Sequence, residues 1–255
     1  MYINTTGLIL RETAYKESSK ILTVLTSGEG KLTVAAHGAV RRNSKLAAVT
    51  QLLAFSEMTL YSRRDRWTMT EARSVELFLG LRDDVVLLAL GAYFAELTEA
   101  VADEDSPNSE LLPLCLNALF VLSEKLKEPE FVKPAFELRL MAVSGFEPLL
   151  EHCGACGRDD PEGAVLDLAG GTIRCTGCRP AAGAAAGSAG TATLSKGALS
   201  AARYILNSDS KKLFSYTLSG AAQRELTIAA EGYLLAHLDR GFRTLDYYKG
   251  LGKLP

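Results

Sequence analysis

Four cysteines stand in two tight pairs, Cys153-Gly-Ala-Cys156 and Cys175-Thr-Gly-Cys178, with 18 residues between the pairs. The spacing C-x2-C-x18-C-x2-C is that of a tetrahedral zinc site. Each pair can point two thiolates at one ion, and the second pair completes the tetrahedron. Gly157 and Gly177 allow turns in which backbone N–H groups face the sulfurs. Arg158, Arg174 and Arg179 stand beside the ligands and can offset the formal double negative charge of four thiolates on Zn²⁺. Four protein ligands leave no open position for catalysis, so Cys153, Cys156, Cys175 and Cys178 are predicted to hold one structural zinc per chain. A redox dithiol would need one pair only, and two disulfides would be out of place in a reducing compartment. His152 adjoins Cys153 without extending the pattern. The fifth cysteine, Cys115, falls on an apolar helical stripe and reads as a small core residue.

A second chemistry is carried by cations. Lys31–Ala36 alternates apolar and polar residues, then His37-Gly38 hands over to a loop with Arg41, Arg42 and Lys45 and no anion between them. Read alone, such a run is more often a solvated loop than a polyanion surface. Its surroundings favour the polyanion. Lys and Arg outnumber Asp and Glu by 11 to 7 in residues 1–80 and are outnumbered 17 to 23 in the rest. A positive front half on a chain of net charge −2 suggests a polyanion-facing module joined to a more acidic body. Phosphate contact is expected from Arg11, Lys16, Lys20, Lys31, Arg41, Arg42 and Lys45, with Arg63, Arg64 and Arg66 as a second basic turn. Tyr61 and Trp67 could stack on bases or belong to the core. No phosphate loop, dinucleotide fingerprint, H-E-x-x-H or nucleophile elbow occurs, and the three histidines fall in three different segments. No catalytic residue is assigned, and the chain is read as a non-enzyme.

These groups must be positioned by elements of two kinds. Five segments near the start, Tyr2–Thr13, Lys20–Thr26, Lys31–Ala36, Leu52–Tyr61 and Trp67–Leu79, are rich in β-branched and aromatic residues. Gly28, Gly30 and Gly38 sit at joins, the signature of a small closed barrel. From Arg82 the apolar period becomes helical at Val86, Leu90, Tyr93/Phe94, Leu97 and Val101. A second helix is predicted after an N-cap and N1 pair Ser106-Pro107, and a third over Pro134–Ser144, or from Glu130, ending at Gly145. Later helices start at the caps Ser195 and Ser219, and the tail from Phe242 is short and mixed. The predicted class is thus an α+β multidomain chain: a five-stranded barrel over 1–80, whose pattern suits an oligonucleotide-binding (OB) barrel although five strands alone do not separate it from an SH3-like one, a helical body over 81–150 and 194–255, a zinc insert over 151–180 and an Ala/Gly-rich flexible tether over 181–193. No apolar run has the length of a membrane span, and no secretory leader precedes the first strand, so a cytoplasmic, nucleoid-associated location is expected.

The opening also carries a specific pattern: Thr6-Gly7-Leu8-Ile9-Leu10-Arg11, Tyr15-Lys16-Glu17-Ser18-Ser19-Lys20-Ile21, Leu25-Thr26, Gly30-Lys31, Ala36-His37-Gly38-Ala39, Ser44-Lys45-Leu46, Gln51-Leu52, Leu60-Tyr61, Trp67 and Glu71-Ala72. It resembles the start of the bacterial recombination mediator family RecO. The helical body, the four-cysteine insert and Ser200–Ile205 follow in the family's order, so nearly the whole chain is covered. The resemblance implies an OB barrel, a helical body and often a zinc module without enzymatic turnover. It implies binding of single- and double-stranded DNA, annealing of complementary strands, and help in loading RecA onto DNA coated with single-strand-binding protein (SSB). RecR, and in places RecF, would act with it, and the acidic-apolar C-terminal tail of SSB would bind the helical body. Tyr93, Phe94 and Leu97 with Lys133 and Arg139 are the candidates for that tail, although Pro134-Ala135 stand where some members have arginines. The competing reading is another zinc-containing nucleic-acid adaptor, related to RNA or transcription. The insert's Asp159, Asp160, Glu162 and Asp167 argue against contact through the zinc ribbon itself.

Overall fold

The computed structural model describes residues 1–64, 66–104, 106–178 and 190–252. The first five strands are β1 (Tyr2–Tyr15), β2 (Ser19–Thr26), β3 (Lys31–Ala36), β4 (Phe55–Arg63) and β5 (Arg66–Glu76). They close a barrel in the order β1-β2-β3-β5-β4. The closure joins β3 to β5 in parallel, with Val34 opposite Trp67, and β1 to β4 in antiparallel. Alternation explains the barrel. Leu22, Val24, Leu32, Val34, Met58, Leu60 and Met69 point inward as one cluster, and Trp67 packs against it. Closure leaves no open sheet edge. Gly7 is required where β1 crosses the core, because a β-carbon there would lie 2.6 Å from Val24 Cγ1.

The chain packs as two units, residues 1–125 with 242–255, and residues 126–241. In the first unit the barrel is joined by α1 (Leu79–Arg82), α2 (Val85–Val101), α3 (Leu111–Ser123) and, from the far end of the chain, α7 (Arg243–Leu251). The Asp84 carboxylate caps α2 by accepting from the Val86 and Leu87 N–H groups. The cap of α3 is Glu110, not the expected Ser106-Pro107, because the apolar stripe that buries begins only at Leu111. Helix α7 was not expected from the mixed tail. It forms because Phe242 is buried edge-on against Tyr93 and Glu96 accepts from the Thr244 N–H. Cys115 is core, as expected: it is buried against the Thr98 hydroxyl, and burial pushes its thiol up to about 12.

The second unit holds α4 (Pro129–Val143), α5 (Lys196–Asn207) and α6 (Gly220–Leu238) with β6 (Gly163–Asp167), β7 (Ile173–Cys175) and β8 (Thr191–Ser195). The strands form a three-stranded sheet in the order β7-β6-β8, a feature the weak periodicity of this stretch did not announce. Residues 181–189 of the expected tether lie outside the described residues. Residues 191–193 belong to β8, where the inward Ala192 and Leu194 are buried. Pro134 lies inside α4, where it cannot donate to the Glu130 carbonyl. The Gln223 amide of α6 donates to that carbonyl instead, at 2.6 Å. Ser195 caps α5 through the Ala198 N–H. Among the described residues no helix is long and apolar enough to cross a membrane.

Candidate nucleic-acid interface and metal centre

The ten cations expected to meet phosphate divide into two groups. Lys20 pairs with Glu12 and donates to the Thr50 carbonyl, while Glu12 also accepts from the Leu52 N–H. Lys20 is therefore a strut holding the β3–β4 loop against β1. Lys31 donates to the Glu99 carbonyl in the last turn of α2 at 3.0 Å, a favourable place for a cation. Arg11 pairs with the Glu99 carboxylate at 2.9 Å and remains largely exposed. The structure thus gives Lys20 and Lys31 structural partners that sequence could not assign, since Glu12, Thr50 and Glu99 meet them only in the fold. The other seven, Lys16, Arg41, Arg42, Lys45, Arg63, Arg64 and Arg66, are exposed and form no ion pair among the described residues.

These seven fall on two turns. The β1–β2 turn carries Lys16 and is tied to the Arg41 loop by the Val40 N–H, which donates to the Ser18 carbonyl at 3.1 Å. The Arg41 loop leaves the sheet at Gly38, whose φ of +69° favours glycine. On the β4–β5 turn, Arg63 stands directly opposite Arg66 and Arg64 takes a φ of +52°. Because β3 and β5 are parallel with Val34 opposite Trp67, the two basic turns lie at opposite ends of β3. Tyr61 faces outward with its ring tilted against that of the exposed Tyr2, centroids 4.7 Å apart, whereas Trp67 is half-buried against the barrel core.

The metal-type site is built by the β6–β7 sheet and its flanking turns. The Sγ atoms of Cys153, Cys156, Cys175 and Cys178 all lie within 4.8 Å of one another. Sulfurs about 2.3 Å from one ion have tetrahedral edges of about 3.8 Å, and Cys156 Sγ to Cys175 Sγ is 3.8 Å. The first pair is folded into a knuckle: the Cys153 N–H donates to the Arg158 carbonyl and the Gly157 N–H to the Cys153 carbonyl. The second pair is aligned by a 3-10 turn, Thr176–Cys178. Backbone N–H groups of Cys175, Ala155 and Cys156 pull the Cys153 thiol down to about 6. The Cys156 and Cys175 side chains push the Cys178 thiol up to about 12. Four sulfurs this close resist ionising together, and a cation among them removes that cost. The donor set therefore fits a soft divalent ion. Arg179 lies outside the described residues.

A residue the sequence did not single out holds this loop. Arg203 of α5 donates to the backbone carbonyls of Leu150, Glu151 and Asp159, at 2.8, 2.6 and 2.7 Å. It gathers both ends of the stretch that carries Cys153 and Cys156. Lys196, also on α5, pairs with Asp160 and Glu162.

Four of the five candidates for a peptide tail are buried, and Arg139 is half-buried. Tyr93, Phe94 and Leu97 are buried in the first unit. Lys133 and Arg139 belong to the second. Lys133 is buried between Glu137 and Glu231, 2.8 Å from each, and Arg139 donates to the Ser208 carbonyl. Their apolar periodicity marks core packing, which exposes no face for recognition.

The family model described as the Recombination protein O N terminal matches residues 1–78, and the one described as the Recombination protein O C terminal matches residues 82–246. The DNA repair protein RecO of Acetivibrio thermocellus is 30% identical over 253 residues, covering 99% of this chain and 98% of the relative. That of Symbiobacterium thermophilum is 31% identical over 248 residues, covering 96% and 95%, and that of Alkaliphilus metalliredigens 30% over 250 residues, covering 98% and 99%. A closed barrel with an N-terminal-domain match, and helices and a four-cysteine centre under a C-terminal match, leave one conclusion: the chain belongs to the RecO family of DNA repair proteins.

Proposed function

We propose that the chain is a DNA-binding recombination mediator. It binds single- and double-stranded DNA through the barrel and anneals complementary strands. With RecR it helps RecA load onto SSB-coated DNA, RecF and RecA being reached indirectly, in the cytoplasm at the nucleoid. The observation that carries the reading is the pair of exposed basic turns on a closed barrel, Lys16 with Arg41, Arg42 and Lys45, and Arg63 with Arg64 and Arg66. Exposed cations that form no ion pair among the described residues suit phosphate, whose contact is blind to sequence, as a mediator needs. Zinc in the four-thiolate site would be structural, since four protein ligands leave no open position. The protein acts by binding and assembly, not by turnover. The SSB tail is kept as a partner, with a docking surface other than Tyr93, Phe94, Leu97 and Lys133.

The test is annealing of complementary oligonucleotides precoated with SSB. Acceleration by the purified protein is the expected result. Binding of DNA without any acceleration would favour the adaptor reading instead. The carboxylates Asp159, Asp160, Glu162 and Asp167 speak against that alternative, because they give the metal loop a mixed and not a basic charge.

A further inference from the structure

Tyr15, the last residue of β1, stands directly opposite Ser19 of β2. Residues directly opposite in an antiparallel pair point to the same face. The Ser19 hydroxyl lies 3.4 Å from His37 Nδ1, so the row continues across the sheet as Tyr15, Ser19, His37. The middle member is buried, yet Tyr15 is 43% exposed and His37 is exposed. By the same register, Thr13, Ile21 and Ala35 form the neighbouring row on this outer face. They are small or half-buried and leave the sheet surface shallow.

Cations frame the two rings. The Lys16 ammonium is 5.2 Å from the centre of the Tyr15 ring. The side chain of Arg41 passes over Gly38, its Cδ within 3.5 Å of where a β-carbon would stand, immediately beyond His37. The Val40 N–H bond to Ser18 keeps the two cation-bearing turns together. Exposed rings beside cations that form no ion pair among the described residues answer to a ligand with flat apolar faces strung along a negative backbone. Duplex DNA keeps its base faces stacked on one another, so the ligand is a single strand.

We infer that Tyr15 and His37 form a base-stacking platform for single-stranded nucleic acid, with Lys16, Arg41, Arg42 and Lys45 tracking its phosphates. The inference rests on reading the barrel as a DNA-binding module and adds that this end of it reads bases as well as charge. The rings supply a sequence-tolerant contact that abasic polyanions cannot make.

The experiment measures binding of the full chain to a fluorescent thymidine oligonucleotide and to an abasic strand with the same number of phosphates. Tyr15→Ala and His37→Ala are each expected to weaken the thymidine strand about fivefold or more and to leave the abasic strand unchanged. Tyr15→Phe keeps wild-type affinity, and Tyr15→Ala keeps the wild-type salt slope, because no charge is removed. Should an alanine variant fail to fold, Tyr15→Leu and His37→Leu, which retain bulk, read the same difference. Equal losses on both strands overturn the platform. So does no loss on either, where Arg41→Glu, Arg42→Glu and Lys45→Glu together weaken both. In each of those cases the DNA-binding reading survives. A wild-type protein that binds neither strand overturns both.

Discussion

Reversing Arg41, Arg42 and Lys45 to glutamate should separate phosphate contacts from struts. All three side chains are exposed and meet no acidic partner among the described residues, so the fold loses nothing by their removal. If each meets one phosphate of a single strand, the slope of log K against log salt falls by about 0.7 per contact, about 2 for the three. Over a threefold rise in salt, the wild-type affinity then drops about tenfold more than that of the variant. Lys20→Met is the contrasting perturbation. It removes a cation of similar sequence context whose partners are Glu12 and the Thr50 carbonyl. It should leave the salt slope unchanged and cost about 1–3 kcal/mol of stability, the usual penalty for stranding buried polar partners. Anisotropy titrations with a labelled oligonucleotide at several salt concentrations, alongside urea unfolding, measure both quantities. A triple variant with the wild-type slope would remove the loop from the interface. A flattened slope in Lys20→Met would show that the strut assignment is wrong.

The metal centre and the buried charge cluster give two further expectations. Protein purified without chelator should hold close to one zinc per chain by elemental analysis. Arg203→Met should release it at lower chelator concentration, because the Leu150, Glu151 and Asp159 carbonyls lose their common donor; equal retention would mean that the knuckle closes by itself. Lys133→Met should destabilise the second unit by about 3–5 kcal/mol in denaturant unfolding, since two carboxylates lose a buried cation. Burial alone would lower the Lys133 pKa, but Glu137 and Glu231 outweigh it and hold the ammonium above its ordinary range. A raised folded-state pKa means that this stabilisation is complete below the unfolded lysine value near 10.5. It is lost only as pH rises through the folded value, so wild-type stability should decline at the alkaline end, and the deficit of Lys133→Met should shrink there.

Much of this molecule was legible in local pattern. β-Branched and aromatic content, with glycines at the joins and alternation in Lys31–Ala36, marked the five barrel strands to within a few residues, because such side chains fit a half-buried pleated surface. The cysteine spacing marked the metal-type centre, since each C-x2-C turn aims two thiolates by local geometry alone. Ser195 and Ser219 marked the starts of α5 and α6, a decision made within one helical turn. The elements that were missed depend on partners far away in sequence. Helix α7 needs Tyr93 and Glu96, and β8 needs β6 beside it. Pro134 is tolerated within α4 because Gln223 of α6 donates to the carbonyl that it strands.

The candidate site divides along the same line. Sequence by itself determined that the first 80 residues carry excess positive charge and that a loop after β3 is wholly basic, since composition and spacing need no fold. Only tertiary structure decided which cations are engaged, because Glu12, Thr50 and Glu99 reach Lys20, Lys31 and Arg11 across the fold. It alone set Tyr15 and His37 in one row, through the pairing of Tyr15 with Ser19 and the Ser19 hydroxyl's contact with His37. It also placed Tyr93, Phe94 and Leu97, the candidates for a peptide tail, inside a core, where their helical periodicity serves packing.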